Sequence, residues 1–168
     1  EGESRKTSMR IQTRLDQMRG EGLYTGGTPR YGYRDVEKGR RNKKDKPVKD
    51  LEICPEEAAV VKEIFERTVY EGAGSFILAT ELSARGVRTH HGAKFNVSTV
   101  NKILRDRQYL GYLITQDITS PHLPELQIID EALFNAAQEI TEQRKTQNAA
   151  WRNIPRQNCS GVLLGGNL

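Results

Sequence analysis

The chain has little of what reaction centres are made from. Its 168 residues include only two cysteines, Cys54 and Cys159, and three histidines, His90, His91 and His122. The cysteines stand far apart and form neither a disulfide framework nor a CxxC metal knuckle, so a reducing, cytoplasmic setting is the expectation. Two of the histidines are adjacent and none has partners at metal-ligand spacing, so no metal is expected in this chain. No glycine-rich loop carries the lysine and Ser/Thr that cradle nucleotide phosphates. Serines are plentiful, but none has a visible base partner. No apolar run approaches the roughly 20 residues of a bilayer span, and no signal-peptide pattern opens the chain. By itself this chain is expected to catalyse nothing, to need no cofactor and to avoid membranes.

What the sequence does have is charge, unevenly placed. Hydrophobic residues make up 36 % and charged residues 29 %, a polar but globular balance with room for one core and appendages. The net charge is +4, yet residues 1–50 hold 14 Lys or Arg against 8 Asp or Glu, and residues 51–168 hold 12 against 14. The positive field belongs to the first third of the chain. Such asymmetry favours a polyanionic partner, most often nucleic acid, with a solvated basic arm as the alternative.

Along the chain, the opening segment EGESRKTSMRIQTRLDQMRGEG reads as a helix, with Ile11, Leu15 and Met18 on a narrow apolar stripe and Lys6, Arg10 and Arg14 projecting together. Nearly polar all round, it is expected to bridge two bodies or cross a partner's surface, and it starts as though something preceded it. Then comes GGTPRYGYR at 26–34, which can neither continue a helix nor supply a core strand. From Asp35 to Asp50 a basic, aperiodic run reads as a loop or hairpin tip, and Leu51–Cys54 as a short strand. PEEAAVVKEIFERTVYEG predicts a helix begun by Pro55 and closed by Gly72. SFILATELSARG predicts a second, with Ser75 as its N-cap and Phe76, Ile77, Leu78, Ala79 and Leu82 inside. A glycine-containing connector, VRTHHGAKFN, leads to a third helix, VSTVNKILRDR. YLGYLIT reads as a strand, a Pro-containing loop follows, and EALFNAAQEITEQRK forms a last helix capped by Asp130. The tail from Thr146 to Asn158 is expected to be extended. The fold class is therefore α+β and mainly helical: a helix-turn-helix-like core with a small β element, preceded by the end of a long basic helix.

The third helix carries the strongest functional signal. Val100, Ile103 and Leu104 turn inward, while Ser98, Asn101, Lys102 and Arg105 stand at i, i+3, i+4 and i+7 on the other side. In a major groove, Asn and Arg pair with adenine and guanine edges, and Ser or Thr reaches bases or phosphates. Ser98, Thr99, Asn101, Lys102 and Arg105 are the candidate major-groove residues, supported by Arg88, His91 and Lys94 and by the basic flank Arg107. The bland alternative is a solvent face. GGTPRYGYR fits the same reading: Gly26 and Gly27 remove bulk, Pro29 prevents helix, and Arg30 or Arg34 could enter an electronegative minor groove. One of Tyr31 and Tyr33 is expected to pack on the core and anchor the segment.

These blocks together resemble the central recombinase domain of large serine recombinases. The basic helix, TGGTPRYGYR, the variable basic loop, the PEEAAVVKEIFE helix, the VRTHHGAKFNVSTVNKILRDRQYLGY run and IIDEALFNAAQEI occur in the expected order, over roughly residues 1 to 146. Phe95 stands where that family often has tryptophan. The resemblance implies a phage integrase or transposon resolvase type of protein, cutting DNA through a serine nucleophile and exchanging half-sites in a tetramer assembled from dimers. It implies that residues 1–22 end a long helix following a catalytic domain absent from this chain, that 23–50 are a basic linker and loop along the minor groove, and that 51–146 bind double-stranded DNA. Residues 147–168 would lead toward a zinc ribbon, near a stretch similar to SGVLLGGNL, with Cys159 upstream of its ligands. A helix-turn-helix transcriptional regulator and a protein-assembly spacer are the two rival readings.

Overall fold

The computed structural model describes residues 2–41, 45, 47–115 and 118–152. Cys159 and the SGVLLGGNL stretch lie outside the described residues. In chain order the elements are α1 (Gly2–Gly20), β1 (Tyr33–Arg41), β2 (Pro47–Ile53), α2 (Pro55–Tyr70), α3 (Ser75–Ala84), α4 (Val97–Arg105), β3 (Ile114–Thr115), β4 (Ile118–Thr119) and α5 (Glu131–Arg152). The mainly helical α+β class read from the sequence is borne out.

The basic run after GGTPRYGYR is more ordered than its lack of periodicity suggests. Its arms form an antiparallel hairpin that pairs Tyr33 with Ile53, Arg34 with Glu52 and Asp35 with Leu51. Charge replaces apolar alternation as the pairing signal. Arg34 meets Glu52 at 3.2 Å, Arg40 meets Asp50 at 2.6 Å, and Lys49 meets Asp35. Opposite charges across strands stabilise a pair by roughly 0.2–1 kcal/mol each, and they leave no hydrophobic alternation for a sequence reading to detect. Segment 23–50 is thus a short linker followed by most of a hairpin.

The core is built around α2. Pro55 occupies the first turn, Glu56 and Glu57 sit at the positive helix end, and Arg67 lies in the last turn. Ala58, Val61, Ile64, Phe65 and Thr68 are buried along one face, each large aliphatic or aromatic contributing about 1.5–3 kcal/mol by leaving water. α5 lies against that face, with the Phe65 and Phe134 rings 6.0 Å apart. It also braces the other helices, because Arg144 donates to the Ala73 carbonyl at 3.0 Å and Gln138 donates to the Leu104 carbonyl. The helix runs on to Arg152, past the point where an extended tail was expected.

Further departures from the sequence reading occur in α3 and after α4. Gly74, not Ser75, is the N-cap of α3. Phe76 and Ile77 are 71 % and 50 % exposed, not inside; the short helix buries only Leu78, Ala79 and Leu82. YLGYLIT does not form one strand: a 3-10 turn spans Arg107–Tyr109, Leu110 makes an isolated bridge to Gln127, and Ile114–Thr115 alone form a strand. Gly111 explains the break. Its φ is +87°, and a Cβ there would lie 2.6 Å from the Leu123 carbonyl oxygen.

A candidate nucleic-acid interface

The residues RYGYR are tied into the core. Tyr33 is fully buried, stacks on Tyr109 at 5.9 Å, and shares its hydroxyl proton between the Gln108 and Leu126 carbonyls at 2.9 and 2.8 Å. Burial raises the pKa of both phenols, as the charged form would lose its water. Tyr109 in turn donates to the Tyr31 carbonyl at 2.9 Å. Tyr31 meets Phe95 edge-on at 5.2 Å, and burial, with the Glu57 charge second, pushes its phenol up to about 12. Both tyrosines are therefore anchors. Gly32 passes between them at φ +98°, where a Cβ would meet Ile128 at 3.1 Å and Val61 at 3.3 Å. Its amide donates to Glu57 Oε2 at 2.8 Å.

With its end fixed in this way, the preceding stretch stays on the surface. Gly26 and Gly27 are exposed, with φ of +92° and +114°, values that L side chains adopt only with strain. Tyr24 holds the turn by donating to the Gly27 carbonyl at 2.8 Å. Arg30 is exposed and reaches Asp106, just beyond the end of α4, at 3.2 Å.

α4 begins at Asn96, whose side chain accepts from the Thr99 amide at 2.8 Å and from its hydroxyl at 3.1 Å. Val100, Ile103 and Leu104 bury one side. The other side forms the wall of an open groove of about 960 Å³ lined by Ser98, Asn101, Lys102, Arg105, Arg107 and Arg30, with Val97, Asp106 and Ile114. A smaller hollow beside Gly26, Thr28 and Pro29 shares Arg30 and Ile114 with it, so linker and helix face form one continuous surface.

Half of the site residues read from the sequence are thereby brought together: Ser98, Asn101, Lys102, Arg105 and Arg30 in the groove, and Gly26 in the hollow that adjoins it. Thr99 is spent on capping. Arg88 and Lys94 pair in an isolated bridge closed by a turn at Gly92, with His91 exposed in that turn. Arg34 stands apart on β1, paired with Glu52, and is not on the linker. Arg107, noted only as a basic flank, is a full member of the groove. Ile114 and Asp106 gave no signal, because only folding brings them beside the linker.

The cations divide sharply. Arg19, Arg34, Arg40, Arg41, Lys49, Arg67 and Arg85 are held in ion pairs with acidic neighbours. The side chains of Arg88, Lys94, Lys102, Arg105 and Arg107 have no hydrogen-bond or ion-pair partner among the described residues. Uncompensated positive charge is thus present on and beside α4, as it is at Arg5, Lys6 and Arg10 of α1 and at Lys38 and Lys62. Among the described residues no group of three His, Cys, Asp or Glu side chains is disposed to hold a metal ion, and no described helix is long and apolar enough to cross a membrane.

Comparison with known proteins accords with this geometry. The family model described as Recombinase matches residues 55–144, more than half of the 168 residues. The chain belongs to the recombinase family, as its sequence blocks implied. A crystal structure of an LSR–DNA complex shares the fold with a TM-score of 0.61 at 20 % identity, over 81 % of this chain and 38 % of that one. A structure concerned with the sequence requirements of the Listeria innocua prophage attP site aligns with a TM-score of 0.58 at 20 % identity, over 89 % of this chain and 57 % of that one. This chain thus spans well under two thirds of either. No curated protein matches it.

Proposed function

We propose that this chain is the double-stranded DNA-binding part of a site-specific serine recombinase, and that it reads one portion of an attachment half-site during integration or excision of a mobile element. α4 enters the major groove, where Asn101 and Arg105 address base edges and Ser98, Lys102 and Arg107 address bases or phosphates. The segment from Gly26 to Arg30 follows the adjoining minor groove, and Arg88, His91 and Lys94 flank the backbone. Strand cleavage belongs to a serine-bearing domain outside these residues, acting in a tetramer assembled from dimers, with the bacterial or phage genome in the cytoplasm as its setting. No metal or nucleotide takes part in the binding described.

One observation carries this reading: the unpaired cations of α4 and the glycine-bearing linker share one groove, while Arg34, Arg40, Arg41 and Lys49 of the hairpin and Arg67 of α2 are already paired. A polyanion entering the groove costs no existing ion pair except Arg30–Asp106. The test is fluorescence anisotropy on duplex DNA across a salt series. Removing Lys102, Arg105 and Arg107 together should weaken binding and flatten its salt dependence. Lys62→Ala, a change of an exposed cation outside the groove lining, should leave it intact. Equal losses from both variants would refute the assignment.

A further inference from the structure

An asparagine on a free helix face offers both hands of its amide, and adenine is its usual partner because N6 donates and N7 accepts. Asn101 is not free in this sense. Ser75, the first residue of α3, donates its hydroxyl to Asn101 Oδ1 at 2.7 Å, and both side chains are half-buried. The contact crosses from α3 to α4 and is 26 residues long in sequence. The amide oxygen is thus turned toward α3, and Nδ2, without a partner among the described residues, is the hand left for the groove that Asn101 lines.

We infer that Ser75 is a positioning residue that sets the base preference of Asn101 by occupying one hand of its amide: in the arrangement observed Oδ1 accepts from Ser75, and Asn101 presents donors to the groove. This deepens the DNA-reading proposal above and rests on it. A donor-only amide suits edges that accept, such as guanine O6 and N7 or thymine O4, and meets the exocyclic N4 donor of cytosine badly. Without the Ser75 hydroxyl the amide can turn over and pair through both hands with adenine. A sequence reading assigns Ser75 to capping, because a serine before an apolar run has that meaning far more often; here Gly74 takes the cap and the hydroxyl is released for a tertiary role.

The experiment is selection of bound duplexes from a random library, carried out in parallel with the unaltered chain, Asn101→Ala, Ser75→Ala and Ser75→Thr. Asn101→Ala locates the base pair concerned by flattening preference there. The unaltered chain should disfavour cytosine at that position. Ser75→Ala should move enrichment toward adenine by about fivefold, within the range of one base-edge pair, with the rest of the motif, the salt dependence and the thermal midpoint unchanged. Ser75→Thr keeps the hydroxyl and should restore the original preference. An unchanged motif in Ser75→Ala overturns the inference, as does uniform weakening with a lowered thermal midpoint, which marks a structural role only. If the unaltered chain enriches no motif, the DNA-reading proposal fails and this one falls with it; if it enriches one and Ser75→Ala does not alter it, only the role of Ser75 is lost.

Discussion

Gly32 shows how much one residue can decide. It sits at φ +98° with Ile128 and Val61 where a Cβ would go, so Gly32→Ala meets both a backbone penalty of about 1–2 kcal/mol and crowding of about 1–3 kcal/mol. Thermal or denaturant unfolding of that variant should show a loss of roughly 2–4 kcal/mol if the two costs largely add; a loss below the backbone penalty alone would mean that the linker is not anchored there. Tyr33→Phe is a gentler probe of the same anchor. It leaves two buried carbonyls without their shared proton and should cost about 1–3 kcal/mol. The role of Gly32 was not legible in the sequence, where it reads as one more turn glycine; the tyrosine anchor was legible in part, since one of Tyr31 and Tyr33 was expected to pack and both do. On α4 the reverse holds. The spacing of Ser98, Asn101, Lys102 and Arg105 announces a polar face, and the fold keeps it open. Arg105→Ala should lose about 1–3 kcal/mol on a cognate duplex and relax preference at one position; uniform weakening across all sequences would make Arg105 a phosphate contact instead.

Among the elements, the linker and the connector before α4 are joined through α2. Glu57 accepts from the Gly32 amide and lies 2.9 Å from His90 Nδ1, so one carboxylate ties the start of the hairpin to the turn that precedes the candidate recognition helix. Glu57→Ala should destabilise the chain by about 1–3 kcal/mol through the stranded Gly32 amide and raise hydrogen exchange at both segments; increased exchange at the linker alone would show that His90 is not held through it. The tyrosine cluster gives a second, independent reading of this joint. Burial pushes the Tyr31 phenol from an ordinary 10.0 up to about 12, and raises Tyr33 and Tyr109 too. For a group whose folded pKa is raised, stability is complete below the unfolded value and is lost as pH climbs through the folded one. Alkaline titration should therefore show phenolate absorbance from Tyr31, Tyr33 and Tyr109 only together with unfolding. Early, non-cooperative titration of these three tyrosines would contradict the packing. Helices were legible because α2 and α4 have strong faces and clear starts. The hairpin was not, since its strands pair by charge, and neither was α3's open side, since Phe76 and Ile77 look like core residues in any window of sequence.

At the scale of the whole molecule, the question is where the positive charge is left uncompensated. The sequence places the excess in residues 1–50, yet folding neutralises much of it within the hairpin, where Arg34, Arg40, Arg41 and Lys49 all find acids. The free cations of α4 and its flanks come from a segment whose overall charge balance looked unremarkable. Composition therefore pointed to the right kind of partner through a region that mostly pairs with itself, and the helix-face reading located the surface. Three to five phosphates neutralised by Arg88, Lys94, Lys102 and Arg107, with Arg30 released from Asp106, would give a salt slope of about −3 to −4.5. The central claim is that the groove formed by α4 and the linker reads DNA sequence, and selection from a random duplex library, with binding of the enriched sequence repeated at two salt concentrations, tests it most directly. One enriched motif is expected, with affinity that falls with salt along that slope. Salt-sensitive binding with no enrichment, or no binding at low salt, would contradict that claim.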